Sequence, residues 1–354
     1  MVVMEEDQHV DRRNEDSTEM PLQLSLRSSD IERFTKLFYD PEELIVGKKA
    51  GIQVHVLRID SGEFALAELY ESLADASITY ALSRTNAAKY FADPRVSIVN
   101  KVKEKFRLPE LKSGEGGEVL LYTFLESHLV APKLLSKLEL KTANDDYVKG
   151  ADGIHLRQSN AELELIFGES KMHSDGKGKP GSSLQTAIAD AFKSMATLRD
   201  SQFSTDKWLV ENNLLKEAFD EQTVDALAAV LIPDASSSVK TRKSFGVFLG
   251  YEIDICEWPL IDLNHDEIED RIKAKARELV SERIDYIRQQ ITNNGLGGYE
   301  FHIYMVPFLK QNTKEGVRGI KDVRFTLAKE LSGKEPKPPK KTPSPKRNKD
   351  KDNA

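Results

Sequence analysis

An α/β fold is predicted by two hydrophobic patterns that follow each other along the chain. Residues 51–60 alternate between apolar and polar side chains, which is typical of a strand with one buried face. Residues 63–84 then repeat apolar side chains every three or four positions, which is typical of an amphipathic helix (Leu66, Leu69, Leu73 and Ile78). Strands and helices that alternate in this way form a central sheet flanked by helices.

The alternation continues through the rest of the chain. A helix is predicted over residues 118–129, and three strands follow over 137–142, 153–157 and 162–171. The next helix begins at Ser182 or Ser183, which supply a capping hydroxyl. Beyond it the pattern predicts helical segments over 206–230 and 266–292 and strands over 245–254 and 299–307.

Composition indicates a soluble protein. The chain has 354 residues, of which 39% are hydrophobic and 31% are charged. No apolar run approaches the ~20 residues that a membrane span requires, and the first thirty residues do not resemble a signal sequence. We therefore expect a cytoplasmic protein without membrane contact.

The cysteine count restricts the kind of metal site. Cys256 is the only cysteine, which excludes an internal disulfide and any site built from several thiolates. A bound metal would therefore be held by carboxylate oxygens or imidazole nitrogens. Magnesium is the default for such a donor set.

Charge divides the chain into three parts. We predict a disordered acidic arm over residues 1–28, because residues 1–20 contain seven acids and two arginines. We also predict a disordered basic Lys/Pro tail over residues 334–354, which carries +5. Residues 29–333 would form the folded domain. Since the whole chain carries −7, the 333 residues before the tail carry −12.

That acidic charge bears on nucleic-acid binding. Proteins that grip nucleic acid by themselves usually present a basic surface, because neutralised phosphates supply most of the non-specific affinity. This protein therefore either does not bind nucleic acid or depends on a local patch, a metal or a partner.

Polar residues interrupt the apolar faces at three points. Side chains alternate along a strand, so Glu169 and Lys171 continue the apolar face that ends at Phe167. Buried charges require a partner or a metal, although the pair would also suit a solvated strand end. Glu118 lies on the apolar stripe of its helix. Asp152 stands just before the second of the three predicted strands, in line with the apolar side of that strand. A first-turn acid that complements the helix dipole, or a turn-forming Asp between glycines, would explain these two without an active site.

The Glu-x-Lys pattern alone is weak, because it occurs four times in the chain. Glu335–Lys337 lies in the tail and Glu110–Lys112 precedes the core helix. Glu139–Lys141 is a real competitor on a predicted strand. We favour Glu169–Lys171, because Asp152 stands in a strand-start turn seventeen residues before Glu169, whereas no such Asp precedes Glu139.

Taken together, Glu118, Asp152, Glu169 and Lys171 resemble the active site of the PD-(D/E)xK nucleases. The order of helices and strands in that restriction-endonuclease-like core matches the predicted order here, with a catalytic core over about residues 115–200 and further α/β elements on either side. In such a site the carboxylates hold magnesium, which polarises a phosphate and activates water, and the lysine orients that water.

A closer resemblance covers residues 50–310. The sequences ELYESLADASITYALSR, GEVLLYTFLE, KTANDDYVKGADGIHLR and ELIFGESKMH are similar to the HamA family, the effector nuclease of the Hachiman anti-phage system, and to its AbpA-like relatives. The resemblance implies that Glu118, Asp152 and Glu169 bind Mg²⁺, with Mn²⁺ as a substitute, and that Lys171 is catalytic. Gln185 would join the site from the first turn of the next helix, although a first-turn Gln also occurs simply because it is exposed.

The same resemblance implies a partner. Members of the family work with a superfamily 2 DNA helicase, HamB, so a heterodimer with such a helicase is expected. Two functions remain open from the sequence. The first is a magnesium-dependent DNA endonuclease of anti-phage defence, and the second is a non-catalytic subunit with a nuclease-like fold that docks on a helicase or on nucleic acid.

Overall fold

The protein is described by a computed structural model over residues 23–60, 63–136, 138, 151–159, 162–201, 221 and 240–336. In these ranges a mixed eight-stranded sheet is covered by helices on both faces, which confirms the predicted fold class. No helix among the described residues is both long enough and apolar enough to cross a bilayer.

The elements before the central block are two hairpins and four helices. In chain order they are α1 (Ser28–Lys36), β1 (Glu42–Gly47), β2 (Ala50–Val54), β3 (Ile59–Asp60), β4 (Glu63–Phe64), α2 (Leu66–Ala81), α3 (Arg84–Ala92) and α4 (Val96–Lys105). Hairpin β3–β4 forms a small separate sheet, and β1 and β2 join the main sheet.

The central block has the predicted order of helix, three strands, helix and strand. It comprises α5 (Glu115–Ser127), β5 (Lys133–Ser136), β6 (Gly153–Ser159), β7 (Glu162–Met172), α6 (Ser182–Ser201) and β8 (Lys240–Asp254). After a short 3₁₀ turn at Leu260–Asp262 come α7 (His265–Ser281), α8 (Ile284–Asn293), β9 (Glu300–Thr313), β10 (Gly316–Arg318) and α9 (Ile320–Ser332).

The main sheet pairs strands from early in the sequence with strands from late in it. Its strand order is β1-β2-β9-β8-β7-β6-β5, with β10 paired to β9. Strands β2, β9, β8 and β7 run parallel to one another, whereas β1, β6 and β5 are antiparallel to their neighbours. The central strands are apolar on both faces because α5 covers one face and α6 covers the other.

Helix α5 approaches the sheet closely where the strands carry glycine. A Cβ atom added to Gly246 would lie 2.7 Å from Cδ2 of Leu125, and one added to Gly168 would lie 3.1 Å from Cδ2 of Leu121. The first turn of α5 is equally tight against α9, since a Cβ on Gly116 would lie 2.9 Å from Cβ of Leu327. Glycine at these positions lets α5 lie directly on the sheet, and the whole helix up to Glu126 is buried.

The predicted long helix over 266–292 is wrong in one respect, because it is two helices. Helix α7 ends at Ser281 and α8 begins at Ile284. No Gly or Pro marks this break in the sequence. It results from packing, since α7 lies against β2 and β8 whereas α8 lies against β1 and α6.

Three other predicted elements differ from the structure or lie mostly outside the described residues. The predicted strand over 51–60 is divided between β2, which ends at Val54, and β3. Of the predicted strand over 137–142, only residue 138 is described, and it is helical; the strand of this region is β5, which lies before it. Of the predicted helix over 206–230, only residue 221 is described.

The packed chain begins before the predicted end of the acidic arm at residue 28. The buried carboxylate of Glu126 accepts hydrogen bonds from the backbone N–H groups of Ser25 (2.6 Å), Leu26 (3.1 Å) and Lys133 (2.7 Å). Leu26 is itself buried. Burial raises the pKa of Glu126. Residues 1–22 and 337–354 lie outside the described residues, so most of both predicted tails does too.

Replacing Gly246 by Val is expected to lower the free energy of unfolding by about 1–3 kcal/mol, because the added atoms overlap Leu125 in a packed interior. Gly51→Val is the matched control, since Gly51 is also in a strand but has no atom within 4 Å of an added Cβ. Urea denaturation checks both variants. Equal losses in the two would contradict the close approach of α5.

Candidate functional site

The start of strand β6 places Asp152 beside β7. These strands are antiparallel with Gly153 opposite Gly168, and the N–H of Asp152 donates to the carbonyl oxygen of Gly168 at 2.8 Å. Asp152 is buried at 6% exposure. The sequence therefore brings Asp152 next to the Glu169–Lys171 end of β7, as the strand pattern predicts.

Ser170 fixes the carboxylate of Asp152. Oδ2 of Asp152 accepts one hydrogen bond from the backbone N–H of Ser170 at 2.6 Å and another from its hydroxyl at 2.7 Å. Hydrogen bonds to an ionised carboxylate are stronger than those between neutral groups. Two donors on one oxygen therefore hold Asp152 in a single orientation.

Tyr80 at the end of α2 fixes the carboxylate of Glu118 by a hydrogen bond. Its hydroxyl donates to Oε2 of Glu118 at 3.2 Å, and both residues are buried. Burial and then the negative charges of Glu118 and Asp152 raise the pKa of Tyr80 well above its usual value. The tyrosine therefore remains a neutral donor, and its surroundings contain both carboxylates.

Lys133 anchors the end of the helix that carries Tyr80. Its buried ammonium donates to the carbonyl oxygens of Thr79 (2.8 Å), Tyr80 (3.2 Å) and Leu82 (3.0 Å). A cation is favourable there, because carbonyl groups at a helix C-terminus carry partial negative charge. Lys133 therefore fixes the position from which Tyr80 reaches Glu118.

Glu118 and Asp152 line one small internal cavity. Tyr80, Lys133 and His155 also line it. Burial lowers the pKa of His155 to about 3, and its Nδ1 lies 2.8 Å from the carbonyl oxygen of Ala131. The imidazole is therefore neutral at physiological pH, and the charged residues that line this cavity are two carboxylates and the Lys133 ammonium.

Glu169 and Lys171 form an ion pair on the other face of β7. Ser170 points towards α5, since its hydroxyl lies 3.5 Å from a Cβ built on Gly117, so alternation directs Glu169 and Lys171 towards the α6 face. Glu169 is 3% exposed and the Lys171 side chain is 27% exposed. The prediction that Glu169 faces the core is confirmed, although the opposite face of β7 is equally buried.

The three predicted metal ligands do not all lie within 4.8 Å of one another: Glu118 and Asp152 border one cavity, whereas Glu169 lies on the other face of β7. Within the described ranges, the only group of three metal-ligating residues whose donor atoms all lie within 4.8 Å of one another is Glu164, Glu300 and His302. Buried carboxylates nevertheless fit a hard cation such as Mg²⁺, which usually keeps several water ligands and needs few from the protein. The fit of Glu118, Asp152 and Glu169 is therefore to an ion held partly through water.

Gln185 lies in the first turn of α6, where the sequence predicts it, and is exposed to solvent. Its membership of the site stays a prediction.

The cluster around Glu164 is an ion-pair network that the sequence does not reveal. Oε2 of Glu164 lies 2.6 Å from Nη2 of Arg157 and 3.3 Å from Nη2 of Arg242, and Oε1 lies 2.7 Å from Nε2 of His302. Arg242 also pairs with Glu300 at 2.8 Å. Two guanidinium groups already neutralise the carboxylates, so this cluster has no need of a metal ion.

A larger cavity lies elsewhere, with a volume of about 1030 Å³. It is bounded by β4, the start of α2, the β9–β10 hairpin and the start of α9, and none of the predicted site residues lines it. Four acids and two bases line it, so its charge is mildly negative (Glu63, Glu68, Glu315, Asp322, Lys314 and Arg318).

A comparison with known families agrees with the resemblance seen in the sequence. The HamA family matches residues 32–317, which is most of the chain. This protein belongs to the HamA family. Membership of HamA suggests a role in Hachiman anti-phage defence. No curated protein matches the chain significantly.

Three residues that support the HamA site were not identified from the sequence. Tyr80 and Ser170 hold Glu118 and Asp152, and Arg324 of α9 donates to the carbonyl oxygens of Ser113 (3.0 Å) and Met172 (2.9 Å). Ser170 could have been suggested by its place inside the Glu-x-Lys motif. Tyr80 and Arg324 carry no local signal, because they meet the site only through packing of distant helices.

Binding of Mn²⁺ or Mg²⁺ is expected to raise the thermal unfolding midpoint, since a ligand of the native state stabilises it by about 2.7 kcal/mol at a hundredfold excess over Kd. Asp152→Asn should reduce the shift, whereas Glu164→Gln should preserve it. Differential scanning fluorimetry with a metal titration measures both. A shift that survives Asp152→Asn but disappears in Glu164→Gln would place the cation in the other cluster.

Acid should weaken the network around Glu164. Burial would raise the pKa of Glu164, but the hydrogen bond and charge of His302, together with the nearby Arg157, outweigh it and lower the pKa to about 2. A depressed carboxylate pKa stabilises the fold above the unfolded value near 4.5, and this contribution disappears as the pH falls towards 2.

Glu164→Gln is therefore expected to cost about 2 kcal/mol at pH 7, the order seen when a buried charged hydrogen bond is lost, and progressively less below pH 4.5. Denaturant titration over pH 2–7 measures this difference. Glu300→Gln is the control and should cost less than about 1 kcal/mol, because Glu300 is half-buried. A pH-independent cost for Glu164→Gln would refute the assignment.

Proposed function

We propose that this HamA protein is a metal-dependent DNA endonuclease that serves as the effector of an anti-phage defence system. The observation that supports the proposal is the burial of Glu118 and Asp152 around one cavity, at the strand end that also carries the Glu169–Lys171 pair. Burial of unneeded carboxylates would be costly, so their retention at one place favours a functional role.

Each residue has a distinct chemical task in this proposal. Glu118, Asp152 and Glu169 would hold Mg²⁺, which when bound polarises the scissile phosphate and lowers the pKa of an attacking water. Lys171 remains partly exposed, so its ammonium is accessible from solvent. Its positive charge would orient the water and stabilise the charge that develops on the phosphate oxygens.

Ser170 and Tyr80 would act as positioning residues. Each occupies one oxygen of a carboxylate, Oδ2 of Asp152 and Oε2 of Glu118 respectively. By fixing these groups before substrate arrives, they reduce the reorganisation that phosphodiester hydrolysis requires.

A DNA helicase is the partner that we propose. Residues 1–333 carry −12, which disfavours spontaneous association with DNA. A nuclease attached to a DNA translocase is delivered to its substrate, so it does not need a strongly basic surface of its own. The acidic charge would then suppress cleavage by copies that lack a partner.

One observation favours the alternative of a non-catalytic, nuclease-like subunit. Lys171 is already paired with Glu169, and Glu118, Asp152 and Glu169 do not meet within 4.8 Å in the described chain. In that case the four polar residues would form a structural network. The two functions differ in whether removal of these side chains changes DNA cleavage.

Glu169→Ala and Lys171→Ala are each expected to lower the rate of plasmid cleavage about 100-fold or more, as loss of a transition-state contact does. The assay uses supercoiled plasmid with Mg²⁺, with and without the proposed helicase partner, and EDTA should abolish cleavage.

Two sequence-matched controls accompany this test. Glu335→Ala should leave cleavage unchanged, because its Glu-x-Lys pattern lies at the start of the basic tail. Glu139→Ala tests the competing motif. If wild type and the Glu169 and Lys171 variants cleave alike, the catalytic proposal fails, and loss of cleavage in Glu139→Ala alone would move the site to that motif.

A further inference from the structure

One stretch of this acidic protein is strongly basic. Residues 95–112 contain six Lys or Arg and two acids, a local charge of +4 within a body of −12 (Arg95, Lys101, Lys103, Lys105, Arg107 and Lys112). We call residues 95–112 the basic segment. Nothing in the proposed chemistry of the carboxylates accounts for this concentration of cations.

The basic segment is fixed to the protein by its apolar side. It comprises α4 and the loop towards α5, and Val102 and Phe106 are buried against α2 and α9. The opposite side of the segment is exposed, including Lys101, Arg107 and Lys112. The helix and the loop after it thus present cations to solvent, Lys101 from the helix and Arg107 and Lys112 from the loop.

Arg95 is paired with Asp93, but most of the other cations of the segment are not neutralised by neighbouring carboxylates. Across the described chain, Lys101, Lys103 and Lys112 make no ion pair. The Arg107 side chain is 76% exposed, and its contact with Glu115 is long, at 3.9 Å. Their charge is therefore available to a ligand.

The loop at the end of the basic segment leads to the carboxylates. Arg107 and Lys112 line a surface groove of about 240 Å³ together with three acids (Glu110, Glu115 and Glu118). Of these acids Glu118 belongs to the candidate site, and the two cations come from the basic segment. Glu118 also lines the internal cavity that contains Asp152. The groove and the candidate site therefore share a residue.

Arg324 connects the loop that lines this groove to β7. It bridges the carbonyl oxygens of Ser113 in the loop and Met172 at the end of β7, which follows Lys171 directly. Its burial lowers its pKa, and no carboxylate pairs with it in the described part of the chain. The groove is thus tied to the strand end that carries Glu169 and Lys171.

We propose that the basic segment binds the phosphodiester backbone of the DNA substrate and directs it along the groove towards Glu118. The claim that DNA is directed to Glu118 for cleavage rests on the proposed function. Binding of DNA by the basic segment does not require that cleavage occurs. Phosphate contacts fix the position of a nucleic acid without reading its sequence, which suits flexible exposed cations. Because this +4 segment belongs to a body that carries −12, we expect weak, salt-sensitive binding.

The test compares two triple charge reversals in the full-length protein. The first is Lys101→Glu, Arg107→Glu and Lys112→Glu. The matched control is Lys48→Glu, Lys193→Glu and Lys314→Glu, which changes the net charge equally at exposed positions on other elements. The probe is a fluorescein-labelled 20-base-pair duplex, and fluorescence anisotropy is measured with Ca²⁺ between about 20 and 150 mM salt.

The first variant is expected to bind about tenfold or more weakly than wild type, and the slope of log K against log salt should fall by about 2–3, since each phosphate contact contributes ~0.9. The control should stay within about threefold. Circular dichroism and the thermal midpoint verify that both variants fold.

Equal weakening in both triples, equal affinity of the first triple and wild type, or no binding by wild type at 20 mM salt would each overturn the proposal. Binding that depends on the basic segment in a protein that never cleaves plasmid would support this inference and refute the nuclease activity. The two proposals therefore fail separately.

Discussion

The direct contact between helix α5 and the sheet is the constraint on which the rest of the structure depends. Leu121 and Leu125 lie against Gly168 and Gly246, where any side chain on the strands would push the helix outward. The helix carries Glu118 at its start and Glu126 at its end. Its depth therefore decides both where the candidate site lies and how the beginning of the chain is anchored.

That depth has an electrostatic consequence. A carboxylate on a helix so close to the sheet loses water and must be held by other groups. The hydroxyl of Tyr80 donates a hydrogen bond to Glu118, and three backbone N–H groups donate to Glu126. The two acids are satisfied differently. The carboxylate of Glu126 accepts hydrogen bonds from backbone N–H groups in the interior of the protein, whereas Glu118 borders a cavity and a surface groove.

The central block could be predicted from the sequence because its signals are local. The alternation in β6 and β7 and the helical periodicity of α6 are visible within short windows, and the antiparallel pair β6–β7 brings Asp152 to Ser170 through a short connection. The predicted serine cap of α6 is wrong, because the backbone N–H of Ser183 donates to the carboxylate of Asp175 instead. The parallel pairing of β2 with β9 could not be predicted. The two strands are far apart in sequence, and their pairing results from burial on both faces.

The residues missed at the site share this cause. Glu164 meets Arg242 and His302 only because β7, β8 and β9 pair in one particular register. Tyr80 and Arg324 reach the site from helices whose packing is long-range. Residue types in a strand can indicate which side chains are chemically unusual, but the register and packing of distant elements decide which of them meet.

Helix α9 shows where a sequence family and a folded unit differ. The match to HamA ends at residue 317, yet α9 begins at Ile320. Its Leu327 rests on Gly116 at the start of α5, and its Arg324 joins Ser113 to Met172. A protein shortened to the matched region would keep every carboxylate of the site while losing the brace that aligns them. Relatives compared over that region alone would hide a change at this helix, even though such a change could silence the protein.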